Sequence, residues 1–193
     1  ERRAPHPTMD LGLFRNRLFS SASTSAVISY MAIASVIFVM PFFLQRVRGY
    51  TTAQVGLMLT VVPLTMVVVS PLSGWLSDRI GSRILSSAGM ASIAAALLLL
   101  HGVTPEMAAP AIALRLFLVG LGNGLFTSPN SSAIMGAVPP QRLGVAAGMI
   151  STVRTVGMVM GVATSGAVVA YQSGRLAHAG FSPTDAFGTA LQS

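Results

Sequence analysis

Charge is scarce in this sequence. Asp, Glu, Lys and Arg make up only 9% of the 193 residues, while hydrophobic residues make up 52%. A water-soluble domain carries about 25% charged residues. A soluble chain of this length would lack the polar surface to cover its core, so the implied solvent is lipid. Cysteine is absent, which removes disulfide frameworks and thiolate metal sites. Lysine is absent as well, and all 12 basic residues are arginine. No HExxH, GxSxG or phosphate loop occurs. Gly120, Gly122 and Gly124 have the wrong spacing for a dinucleotide loop and follow no strand. His6, His101 and His178 all fall outside the interiors of the apolar runs. With no nucleophile, base and carboxylate converging, the expectation is no enzyme, no metal and no cofactor.

What is present is five long apolar segments, at about 20–44, 53–76, 84–103, 107–138 and 143–171. Each approaches or exceeds the roughly 20 residues that cross a bilayer core as a helix. They lack the alternation of barrel strands. The fold class is therefore all-α, a polytopic membrane helical bundle. Residues 1–18 form a polar lead-in, stiffened by Pro5 and Pro7 around His6, and 19–172 form the five-span bundle. Residues 173–193 read as an outer loop leading to a further, missing span, so both ends are expected to be truncated.

The net charge of +7 does not indicate nucleic acid, because the arginines form no single patch. They sit in small groups between the apolar runs. With the amino terminus in the cytoplasm, Arg2, Arg3, Arg15, Arg17, Arg79, Arg83 and Arg142 are inside, and Arg46, Arg48 and Arg175 are outside. Arg115 and Arg154 lie within spans. The excess of inside arginines favours this orientation.

The most informative segment is Gly74-Trp75-Leu76-Ser77-Asp78-Arg79-Ile80-Gly81-Ser82-Arg83, between the second and third runs. Gly74 permits close approach of a neighbouring helix. Asp78 suits a helix amino terminus, where it meets the positive dipole end. Arg79 and Arg83 suit carboxylates or lipid phosphates, and Gly81 suits a tight reversal. The pattern G-x-L-x-D-R-x-G-x-R resembles the cytoplasmic loop motif of the major facilitator superfamily. The segments GLGNGLFTSPNSSAIMG (120–136), VPPQR (138–142) and GVAAGMISTVRTVGMVMGVA (144–163), with the opening MDLGLFRNRLFS (9–20), are similar to the carboxy-terminal half of its fourteen-span drug:proton antiporter branch.

The resemblance implies a partial six-helix half of a secondary active transporter in a bacterial plasma membrane. Proton-coupled efflux of hydrophobic or cationic drugs by alternating access is the implied activity. The implied partners are a small-molecule substrate, protons, the bilayer and a missing amino-terminal half. Gly74, Asp78, Arg79, Gly81 and Arg83 would form the gating motif. The five acids, Glu1, Asp10, Asp78, Glu106 and Asp185, all lie outside the apolar runs, so this piece offers no intramembrane carboxylate for a proton. A non-transporting membrane scaffold or partner subunit is the alternative, and it accommodates the odd span count.

Polar residues inside the spans are the remaining candidates. Asn123, Thr127 and Asn130 form one stripe on the fourth span, which the resemblance sets, with the first span, around a central cavity; Tyr30 is the candidate on the first span. For any single Asn, interhelical hydrogen bonding fits as well as substrate contact. Pro129, with Gly120, Gly122 and Gly124, is expected to loosen the fourth helix and permit a local break. On the fifth span, Val145, Met149, Val156 and Met160 form a bulky stripe opposite Ser151, Arg154 and Ser165. Gly157 and Gly161 permit close helix contact there. Arg154 is expected to face protein or water, in a structural hydrogen-bonding role rather than in direct substrate contact. Arg115 is expected to reach for the outer interface. Trp75 and His101 read as interfacial anchors and the third span as lipid-facing periphery.

Overall fold

A computed structural model describes residues 15–178. The lead-in over 1–14 and the end of the expected outer loop over 179–193 lie outside the described residues. Five long helices follow one another: α1 (Arg17–Phe42), α2 (Thr52–Ile80), α3 (Ser82–His101), α4 (Ala109–Gly136) and α5 (Leu143–His178). All five are long and apolar enough to cross a membrane, and among the described residues there is no strand. The shortest, α3, has 20 residues, which at 1.5 Å per residue spans about 30 Å, the thickness of a hydrocarbon core.

The helix ends follow local chemistry. Asn16 caps α1, its side chain accepting the Leu18 amide at 3.0 Å. Thr51 and Gln54 form a reciprocal capping box at the start of α2. After Pro41, α1 passes into a π-helical turn, Phe43–Val47, before the outer loop. One departure from the sequence-based boundaries lies between α2 and α3. The predicted loop shrinks to Gly81 alone, at φ 91° and ψ 142°, a backbone conformation that L side chains rarely adopt. The polar residues of the motif simply continue α2 beyond its apolar stretch. Likewise α5 continues past Tyr171 to His178.

The helices alternate in direction, and their ends are tied together. At the end carrying Arg17, Arg79, Arg83 and Arg142, the Asn16 side-chain amide donates to the Ala137 carbonyl at 3.2 Å, joining the start of α1 to the exit of α4. At the far end, Arg48 donates to the Pro105 and Met107 carbonyls and, at 3.1 Å, to the Tyr50 hydroxyl. That guanidinium staples the α1–α2 loop to the α3–α4 loop.

α4 is the hub. It packs extensively against α2 and α3 and also along α1, whereas α5 packs chiefly on α1. Two apolar clusters sit at opposite ends of the bundle. One joins Ile33, Val36 and Met40 of α1, and Leu44 of the π-helical turn, to Val62, Ala96, Ile112 and Leu116 near the far end. The other joins Phe19 and Ala22 to Ile134, Val138, Ala146 and Met149 near the arginine-rich end. Outward faces are apolar too: Leu57 is 74% exposed, Val67 73% and Leu98 76%. Rows of bare aliphatic side chains suit lipid and would be an aggregation liability in water. On α3 the buried face is Leu85, Gly89, Ile93 and Ala96, a single stripe that leaves the rest of the helix to its surroundings.

Candidate substrate cavity and loop motif

Between the two apolar clusters lies a polar layer at mid-length of the helices. Asn123 of α4 is only 1% exposed. Its carbonyl accepts from the Ser29 hydroxyl of α1 at 3.2 Å, and its amide donates to the Val119 carbonyl at 3.2 Å. Beside this pair, Tyr30, Asn123 and Arg154 share a cavity of about 360 Å³ with Ile33, Leu59, Val62, Pro63, Met66 and other apolar residues. Four helices, α1, α2, α4 and α5, supply its lining.

The layer exists because glycines let the helices close. A Cβ on Gly120 would come within 2.7 Å of the Val62 carbonyl, and one on Gly124 within 2.8 Å of Val69, both on α2. A Cβ on Gly122 would come within 2.8 Å of the Ile93 backbone on α3. The three alternate glycines of α4 thus face two different neighbours. This corrects the expectation that they loosen the helix: α4 runs unbroken through them and through Pro129. Close packing by α2 and α3 keeps the helix continuous where its own composition would not.

On α5, Gly157 meets Val27 and Tyr30 of α1, and Gly161 meets Met31 and Ala34. A Cβ on Gly157 would stand 2.8 Å from the Tyr30 Cβ. Arg154 lies one turn earlier on α5, and its guanidinium sits over the Tyr30 ring, 5.7 Å from the centroid. It is exposed, opens onto the cavity and makes no hydrogen bond among the described residues. The ring contact takes the place of the hydrogen bonding expected for it. The bulky stripe expected on α5 divides: Met149 joins the buried cluster with Phe19, while Val156 and Met160 stay exposed. Met149 lies at the edge of the α1-facing stripe, and a long, flexible side chain reaches inward from there. Arg115, near the far end of α4, turns back onto the Met107 sulfur.

The other two residues of the α4 stripe part company with Asn123. Thr127 is partly buried, and its hydroxyl has no hydrogen-bond partner. Asn130 lines a second, wider cavity of about 930 Å³ at the arginine-rich end, with Arg17, Arg83 and Ser86. The structure therefore groups Tyr30, Asn123 and Arg154, and separates them from Asn130.

The motif residues occupy the same end. A Cβ on Gly74 would fall 2.8 Å from the Ser128 hydroxyl of α4, so α2 and α4 touch there. Arg79 lies over the Trp75 ring at 3.9 Å. Asp78 departs from the sequence-based expectation: it is exposed in the last turn of α2, and α3 begins without a side-chain cap. A carboxylate at a helix carboxy terminus faces the negative dipole end, an unfavourable position unless a partner compensates. Sequence reasoning missed Ser29, Asn16 and Arg48. Asn16 carried a signal, a capping residue directly before an apolar run. Ser29 carried none, because its role depends on α4. Among the described residues no group of three or more His, Asp or Glu could hold a metal ion.

A family model for the Major Facilitator Superfamily matches residues 10–184. The chain is similar to the multidrug resistance protein Stp of Mycobacterium tuberculosis, at 37% identity over 171 residues, 88% of this chain and 32% of the relative. It is similar to the riboflavin transporter RibZ of Clostridioides difficile, at 32% identity over 155 residues, 80% of this chain and 34% of the relative. The quinolone resistance protein NorB of Staphylococcus aureus is 29% identical over 176 residues, 90% of this chain and 38% of the relative. The chain spans about a third of the length of these curated relatives. It belongs to the Major Facilitator Superfamily, a multi-pass membrane family of transporters.

Proposed function

We propose that this member of the Major Facilitator Superfamily is the carboxy-terminal bundle of a secondary active transporter. The whole protein exports small, largely apolar molecules across a bacterial plasma membrane in exchange for protons. The single observation that carries the reading is the cavity at mid-length of the helices, shared by α1, α2, α4 and α5, with Tyr30, Asn123 and Arg154 on its walls. Transporter sites of this kind lie near the bilayer midplane, at the interface of two repeats or bundles. Here the wall is formed by part of one bundle. The missing amino-terminal half supplies the other wall, and rocking between the two gives alternating access.

The motif supports a gate at the arginine-rich end, placed in the cytoplasm by the arginine bias. Asp78 stands at a helix end where it is poorly stabilised, which suits a contact with the missing half in only one of two access states. The proton site belongs to that half as well, since Asp78 and Glu106, the two acids among the described residues, sit at the end of α2 and in the α3–α4 loop. The apolar lining favours a hydrophobic substrate body. A cationic group on the substrate would find its carboxylate in the missing half.

The test uses the full-length protein in vesicles under an imposed pH gradient, with efflux of a hydrophobic dye as the readout. Asp78→Asn should slow gradient-driven efflux while leaving membrane insertion intact. Unchanged efflux at equal protein levels would count against the gate. Insertion is checked with single cysteines, which the native absence of cysteine makes clean. A cysteine at Ser82 should resist an impermeant thiol reagent in intact cells, and one at Ser173 should react. The reverse pattern would invert the topology.

A further inference from the structure

The cavity is chemically one-sided, and that bears on what it accepts. Its lining holds one charged group, the Arg154 guanidinium, and no carboxylate. The remaining polar groups on its wall are Tyr30 and Asn123. Both ends of the Asn123 amide are already engaged, by Ser29 and by the Val119 carbonyl. The Tyr30 hydroxyl and the Arg154 fork make no hydrogen bond among the described residues.

Other arginines are spent differently. Arg48 bonds two loop carbonyls and a tyrosine hydroxyl, Arg115 turns onto Met107, and Arg79 covers Trp75 at a helix end. Arg154 lies eleven residues into α5, about 16 Å along its axis at 1.5 Å per residue. A cation at that depth is disfavoured unless protein, water or ligand compensates. The Tyr30 ring compensates in part, and it keeps the guanidinium over the cavity instead of letting it reach for the interface. Gly157 makes this possible by bringing the α1 backbone against α5 one turn away.

We propose that Arg154, seated on the Tyr30 ring and opening into the 360 Å³ cavity, anchors an anionic oxygen group, a carboxylate above all, on a substrate whose body is apolar. A planar fork of N–H donors matches a carboxylate bidentately. The Tyr30 hydroxyl supplies a further donor beside it. The volume suits a body of one or two fused rings, within the range of small-molecule sites. The apolar residues Ile33, Leu59, Val62 and Met66 take the body, and Arg154 orients it by its charged end. A cationic end placed here would be repelled. The inference rests on the transport reading above and names the substrate class of its cavity.

The test measures equilibrium binding of three probes to the purified full-length protein in lipid nanodiscs: 2-naphthoate, 2-naphthamide and 2-naphthylmethylammonium. They share one apolar body and differ in charge. Wild type should bind the carboxylate about tenfold more tightly than the amide, and the ammonium most weakly. Arg154→Gln should abolish the preference by lowering carboxylate affinity and raising ammonium affinity, with the amide unchanged. Retained amide affinity then shows the cavity intact, which a general structural defect would not allow. Arg154→Lys should keep part of the preference, and Tyr30→Phe should reduce it while keeping the ring. Should Arg154→Gln fail to fold, the wild-type order of the three probes and the Arg154→Lys result still decide. Equal affinities, or tighter binding of the ammonium, overturn the charge assignment and leave the transport reading standing. Failure of all three probes to bind overturns the cavity as a site for this substrate class, and the efflux assay above decides the transport reading separately.

Discussion

Helices α4 and α5 are made of similar materials. Each is long, each carries closely spaced glycines, and each holds a strongly polar residue within its span. In α4 the glycines face two neighbours and Asn123 is enclosed, with its amide satisfied. In α5, Gly157 and Gly161 face one neighbour, α1, and Arg154 borders the open cavity with its donors unspent. The number of partner helices separates them. A polar side chain surrounded by helices becomes part of the packing, since every unpaired group there is penalised. One on a helix with one main partner stays available to a ligand or to the other half of the protein.

This contrast predicts a graded set of stability changes, read as thermal unfolding of the full-length protein in detergent. The largest belongs to α4. Gly122→Val would drive a side chain into the Ile93 backbone and the Gly89 carbonyl of α3, and should destabilise by about 1–3 kcal/mol or prevent folding. If unfolding is unchanged, the tight α3–α4 seam is wrong. Next comes Asn123→Leu, which strands the Ser29 hydroxyl and should destabilise by about 1–2 kcal/mol. Arg154→Gln should cost less than Asn123→Leu while changing ligand preference more. Equal stability losses at the two positions would erase the distinction between packing and ligand roles.

On α5, Gly148 has no atom within 4 Å of an added Cβ. Gly148→Ala should therefore stabilise, by no more than about 1 kcal/mol, through helix propensity alone. A loss comparable to that at Gly122 would mean that α5 has a second partner on that face. The smallest effect is expected at Thr127. Its hydroxyl has no partner, so Thr127→Val should change stability by less than about 0.5 kcal/mol. A clear drop in binding with stability preserved would instead assign that hydroxyl to a ligand.

Much was readable from the sequence alone, for a physical reason. Lipid as solvent demands long apolar helices with satisfied backbones, and that demand is written in composition and run length. Five spans, an all-α class and the superfamily motif followed without any knowledge of packing. Polar residues inside apolar spans also marked Asn123 and Arg154 as unusual, and the family resemblance pointed to Tyr30. What each of them does depended on contacts across large sequence separations. The Ser29–Asn123 bond joins residues 94 positions apart, and nothing local in either helix announces it. Periodicity shows which residues share a face of one helix; it does not show which helix will cover that face. For the same reason the α4 glycines read as loosening elements, when they are contact points for α2 and α3. Asp78 read as a cap for α3, when α2 continues through it to Ile80. Tertiary packing alone decided that Arg154 rests on Tyr30 beside a cavity, because only the close approach at Gly157 brings α1 and α5 near enough for their side chains to meet.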